Sequence, residues 1–136
     1  SPGRMSELFQ NEEIVLAVWG SGRLTSLQDT GFPAGVAYPE EGGVALMITG
    51  CPIADSENID LSREFLNYLL EPEVQAEFAA TQGYGPVNQT TELEDDIAVR
   101  VPYGSEQIDN LVAVDWDVVN ENRHEWTRRW AREIER

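Results

Sequence analysis

An α/β fold is the expectation for this chain, and three observations carry it. Two apolar runs, Ile14–Trp19 and Val44–Ile48, show no polar alternation, as a parallel strand covered on both faces requires. Apolar residues recur at helical spacing elsewhere: Leu61, Phe65, Leu66, Leu69 and Leu70 in one stretch, Val119, Trp126, Trp130 and Ile134 in another. Between the two runs lies a Gly-rich, doubly acidic joint, Tyr38-Pro39-Glu40-Glu41-Gly42-Gly43, which reads as a crossing between packed bodies. Strands alternating with helices place the chain in the α/β class.

The elements follow in order. Ser1-Pro2 reads as a helix cap with Pro at the first helical position; Met5, Leu8 and Phe9 form the apolar face, and Asn11 can close the helix. The strand Ile14–Trp19 breaks into Gly20-Ser21-Gly22, a strand-to-helix turn in which Ser21 caps a helix through Leu24 and Leu27, ended by Thr30-Gly31. Val36-Ala37-Tyr38 is a short strand stopped by Pro39, and Val44–Thr49 is the next one. Residues 50–58 are a loop, and the Leu61–Leu70 stripe is an amphipathic helix. Pro72 opens a second helix with Val74 and Phe78 on its core face, and Gly83 ends it.

Residues 89–105 carry a weak pattern of surface loop and short helix, acidic at Glu92, Glu94, Asp95 and Asp96. A last helix runs through Trp126 and Trp130, both expected in the core, with Arg128, Arg129, Arg132 and Arg136 toward the negative end of its dipole. Glu125 and Arg129 stand at a favourable i,i+4 spacing.

Composition narrows the function classes. The 136 residues suit one ordinary domain, and 25 acids against 9 bases give a formal net charge of −16. Such an excess argues against nucleic acid, which needs a basic face, and against an anionic membrane surface. All nine bases are Arg, and an acidic, Lys-free surface fits either a protein from a salt-loving organism, where screening relieves carboxylate repulsion, or a merely acidic protein from an ordinary source. Cys51 is alone, expected as a small buried hydrophobe rather than a nucleophile. No run approaches the ~20 apolar residues of a membrane span, no secretory leader stands at the start, and the absent initiator Met reads as a mature piece or a fragment. His124 is the only His, so neither a His-based metal cluster nor a Ser-His-Asp triad with a spare is expected; no cofactor, metal or catalytic residue is assigned. The scattered acids read as a solvated face, which sets aside an acid–base enzyme.

Several motifs occur here in one register: Ile14–Gly22, Tyr38–Gly43, Leu69-Leu70-Glu71-Pro72-Glu73, Gly83-Tyr84-Gly85-Pro86-Val87-Asn88 and the closing Trp-rich helix. In that order the chain resembles the C-terminal half of a periplasmic solute-binding protein of an ABC importer, near the spermidine/putrescine-binding group. The resemblance implies part of a two-lobed type II periplasmic-binding-protein fold. Residues 1–41 would belong to the second lobe, 42–90 to the hinge crossing and first lobe, and 91–136 to the second lobe again. The implied partners are a small solute, a membrane permease and the missing first-lobe portion of the same protein, in the periplasm or outside the cell. A two-lobed effector-sensing regulatory domain is the alternative, though it would come with a basic DNA-binding segment.

The candidate ligand residues are Trp19, Gly20, Ser21, Glu41, Tyr84 and Asp117. Trp19 ends an expected strand where ligands of open α/β sheets sit. Gly20 and Ser21 stand at a helix N-terminus suited to a carboxylate or phosphate, with plain capping as the other reading. Glu41, Gly42 and Gly43 form the hinge, where Glu41 could also meet a cation. Tyr84 occupies a loop position at which the relatives bring a Tyr to the cleft. Asp117 and Asn120 precede the last helix and would also serve as its cap. Met47 is expected in the core. Where polyamine binders place an aromatic and then an Asp after the joint, this sequence has Leu46 and Ile48. That leaves open another organic cation, an amino-acid-like or opine-like solute, or an oxygenated anion.

Overall fold

A computed structural model describes residues 2–135. Among them are seven helices and two short strands: α1 (Pro2–Gln10), α2 (Ser21–Gln28), β1 (Gly43–Ala45), α3 (Ile59–Tyr68), α4 (Pro72–Gln82), α5 (Asp95–Ala98), α6 (Ser105–Asp109), β2 (Leu111–Ala113) and α7 (Trp116–Glu133). The chain divides into two compact units: residues 2–38 with 49–109, and residues 39–48 with 110–135.

The first unit is helical. α3 and α4 form where the stripe placed them, and Pro72 starts α4 because a first-turn residue has no intrahelical N–H bond to lose. Gly83 caps α4 in the left-handed region at φ 67°, a conformation that costs other residues about 1–2 kcal/mol. The core is small: among the described residues Leu27, Ala79 and Val101 are buried, as are the polar Thr25 and Thr91. α2 meets α4 at a close approach. A Cβ on Gly83 would fall on the Thr25 side chain, and one on Gly22 would fall on the Gln82 carbonyl and the Tyr84 ring. Two glycines therefore set the distance between these helices.

The second unit has a different basis. β1 and β2 pair in parallel, Gly43 with Leu111, Val44 with Val112 and Ala45 with Ala113. Gly42 precedes β1 at φ 95° and lies against the Asn110 carbonyl, so both its backbone angle and the space around it call for glycine. α7 follows, capped by Asp115, whose carboxylate accepts from the N–H groups of Asp117 and Val118 at 3.1 Å each.

Several expectations are overturned. Ile14–Trp19 and Val36–Tyr38 form no strand, and the expected strand Val44–Thr49 shortens to Gly43–Ala45. A strand exists only through a neighbour's ladder, and no described segment pairs with these stretches; Val15 and Val18 are 93% and 101% exposed. Met47, expected in the core, is 71% exposed for the same reason, and Cys51 is exposed rather than buried. The first helix ends through Glu12 at φ 59° rather than at Asn11, and its expected cap, Ser1, lies outside the described residues. The cap of α2 is Gly20, which makes Ser21 its first residue. Asp115, not Asp117 or Asn120, caps α7. Arg129 pairs with Glu133 at 3.0 Å rather than with Glu125. Trp126 and Trp130 are exposed, since no residue of α7 is buried.

Candidate functional site

The candidate site in the first unit is built on the start of α2. Gly20, extended at φ −86° and ψ 146°, accepts from the N–H groups of Arg23 and Leu24 at 3.0 and 3.1 Å. The N–H groups of Ser21 and Gly22 come before those first helical bonds, and a glycine cap has no side chain to bond them. They are donors at the positive end of the helix dipole, suited to a carboxylate or phosphate oxygen.

One aromatic ring lies against this end, and a second aromatic residue precedes it in the chain. Tyr84 follows the Gly83 cap, and its ring lies against Gly22 because neither Gly22 nor Gly83 carries a side chain. The loop behind Tyr84 is tied down by polar side chains. Gln75 accepts from the Val87 N–H at 3.0 Å and donates to the Leu69 carbonyl, while Asn88 donates to the Leu70 carbonyl at 2.7 Å. Trp19 immediately precedes Gly20 and is half-buried, its ring stacked on Phe9 with centroids 6.0 Å apart and planes 25° from parallel. The strand that was to deliver Trp19 is not formed, so its place follows from the α2 cap and from Phe9.

Trp19, Gly20, Ser21 and Tyr84 thus belong to one unit, with Tyr84 directly against the turn that holds Gly20 and Ser21. Glu41 and Asp117 belong to the other unit, both exposed, Glu41 before β1 and Asp117 in the first turn of α7. Tyr38, at the edge of the joint, has its phenol pushed up from its ordinary range by partial burial, so it stays a neutral donor. No group of three or more His, Cys, Asp or Glu side chains among the described residues is placed to hold a metal ion.

Sequence reasoning missed three contributors. In the sequence Phe9 reads only as part of a helix face, and nothing in its spacing announces the ring it supports. Arg100 stands in a weakly patterned acidic stretch, yet its guanidinium reaches Gln28 at 3.1 Å and Asp29 at 2.8 Å. Asp115 is not distinguished from Asp117 in the sequence, because β2, which precedes α7, carries no legible signal there.

The chain as a whole is similar to known proteins. The sequence pattern of the family described as bacterial extracellular solute-binding protein matches residues 3–101. The spermidine/putrescine-binding periplasmic proteins of Salmonella typhimurium and Salmonella typhi are each 30% identical over 80 residues, 59% of this chain and 23% of theirs. A crystal structure of an ABC transporter from Clostridium perfringens superposes with a TM-score of 0.69 at 26% identity, covering 97% of this chain and 42% of that one. The matches thus span well under half the length of these relatives. The helices and parallel strand pair are part of the α/β fold of such proteins, and the family is one of binding proteins rather than enzymes. No described helix is long and apolar enough to cross a membrane. The chain belongs to the bacterial extracellular solute-binding protein family.

Proposed function

We propose that this chain supplies part of the solute site of an ABC importer's binding protein, and that the solute carries a carboxylate or similar oxyanion. The observation that carries the reading is the start of α2, where the Gly20 cap offers no side chain to two N–H donors, with the Tyr84 ring against Gly22 and Trp19 next to Gly20 in the chain. Donors at a helix N-terminus suit an anionic group, and an indole face suits a flat or cationic one. An amino-acid-like or opine-like solute has both. Leu46 and Ile48, exposed beyond β1, offer no carboxylate for an ammonium, which weighs against a pure polyamine. Glu41, Gly42 and Gly43 serve as the hinge in this reading.

In this reading one lobe takes residues 2–38 and 49–109 together, because α2 lies directly against Gln82, Gly83 and Tyr84, a contact that the expected division into 1–41, 42–90 and 91–136 would part. The remainder of the protein completes the first lobe, and the closed form hands its solute to a membrane permease from the periplasm or the cell exterior. The family supports binding and transport; the solute and the permease are this proposal's own.

The test is a thermal-shift panel on the whole protein, with amino acids, opines, phosphonates and polyamines. A carboxylate-bearing solute should raise Tm by mass action. Trp19→Ala should then weaken its binding about tenfold, the order of one desolvated aromatic contact. A response to polyamines alone would overturn the oxyanion assignment.

A further inference from the structure

Trp19 ends an unpaired, exposed stretch, so no sheet holds its ring in place. Its bracing comes from elsewhere in the first unit. Phe9 stacks on it, and Phe9 is itself met by Phe32, with centroids 6.2 Å apart and planes at 59°. α1 is folded back at its end, where Glu13 and Ile14 both donate to the Leu8 carbonyl, and this return brings the chain toward Trp19 past Phe9.

Phe32 lies in the turn after α2, and that turn is tied at several points. Gly31 donates to the Gln28 carbonyl at 2.8 Å, Ala34 donates to the Phe32 carbonyl at 2.8 Å, and the Gln28 side chain donates to the Ala34 carbonyl at 2.8 Å. Gln28 is in turn held by Arg100, which donates from Nε to its Oε1 at 3.1 Å while a terminal nitrogen reaches Asp29 at 2.8 Å. The Arg100 side chain is 23% exposed, so this fork is worth more than an open surface pair. A planar guanidinium serves both acceptors at once, which a Lys ammonium on a flexible stem does less well.

We propose that Arg100 and Phe9 are positioning residues for Trp19: Arg100 fixes the turn after α2 through Gln28 and Asp29, Phe32 in that turn backs Phe9, and Phe9 braces the indole. Arg100 lies 71 residues from Asp29 in sequence, so the brace closes the unit across most of its length. The inference rests on the reading of Trp19 as a solute contact for its functional meaning, but the bracing itself is independent of any solute.

The test is solute-free fluorine NMR on the whole protein labelled with 5-fluorotryptophan, the Trp19 signal being the one lost in Trp19→Phe. Phe9→Leu and Arg100→Ala should each move the Trp19 resonance by more than its own width and leave those of Trp116, Trp126 and Trp130 in place. General loss of structure would move all of them. Arg100→Lys should give a smaller displacement in the same direction. Should Arg100→Ala fail to fold, Asp29→Asn, which removes one partner's charge and keeps its shape, gives the same reading at reduced amplitude. A Trp19 resonance unmoved by Arg100→Ala or Asp29→Asn, with Phe9→Leu active, overturns the role of Arg100. One unmoved by Phe9→Leu overturns the brace altogether. A silent solute panel alongside a responsive Trp19 would count against the binding proposal and leave the brace standing.

Discussion

The two units of this chain are held together by different kinds of interaction. The first has an interior, with Leu27, Ala79 and Val101 buried and glycines letting α2 and α4 approach closely. The second has none: no residue of α7 is buried, and its strands are three residues each. Backbone pairing and helix-local bonds sustain it, and a two-stranded pair alone is marginal in water. One difference follows directly. Side-chain truncation should be costly in the first unit and cheap in the second. Leu27→Ala should destabilise by about 2–5 kcal/mol, the usual cost of a buried Leu and the cavity it leaves. Trp126→Ala, on the exposed face of α7, should cost well under 1 kcal/mol in this chain. Denaturant melts followed by hydrogen exchange in each unit would measure both. An equal cost at the two positions would erase the distinction.

Legibility in the sequence divides along the same line. Helices that carry their own apolar stripe, α3 and α4, were readable together with the Pro72 start and the Gly83 stop, because every signal was local. The strands were not. Ile14–Trp19 has the composition of a buried strand, yet composition says nothing of whether a neighbour is present, and here none of the described residues pairs with it. Trp126 and Trp130 teach the same lesson, since a correct helical stripe faces solvent. At the candidate site, the glycine–serine turn and Tyr84 were visible as types, and their contact through Gly22 was not. A close approach between helices 60 residues apart leaves no periodic trace.

Charge sharpens the contrast next. Of the nine bases, the first unit holds only Arg4, Arg23, Arg63 and Arg100 against most of the 25 acids, whereas the others cluster in and just after α7. Raising salt from 0.1 to 1 M shortens the Debye length from ~10 Å to ~3 Å. That should relieve self-repulsion mostly in the first unit and raise Tm. Slower exchange at α2–α4 amides than at α7 amides, as salt rises, is the expected signature. Equal responses, or a falling Tm, would overturn both the stability effect of the charge asymmetry and the salt-adapted reading of a Lys-free surface.

A smaller effect is expected at the start of α7. Asp115 satisfies two N–H groups that nothing else bonds there, so Asp115→Ala should cost about 1 kcal/mol. Asp117→Ala should leave the helix start intact. The same pair of variants separates capping from solute binding, because a loss of solute affinity confined to Asp117→Ala would give that residue a role in the cleft.

The smallest effect lies at the other end of α7. Hydrogen bonds from Arg129 and Arg132 hold the Glu133 carboxyl below the usual carboxylate range. A carboxyl whose folded value is depressed contributes its stabilisation above the unfolded value and loses it as pH falls through the folded one. The last turn of α7 should therefore be intact at neutral pH and loosen only under acid, at and below the ordinary Glu range. Because the site is open to water, the change should be local: faster exchange of the final α7 amides, with no movement of the global melt. Glu133→Gln should abolish that acid response and leave the α2–α4 amides untouched. A Glu133→Gln protein that still loosened there under acid would show that the turn is held by something other than these ion pairs.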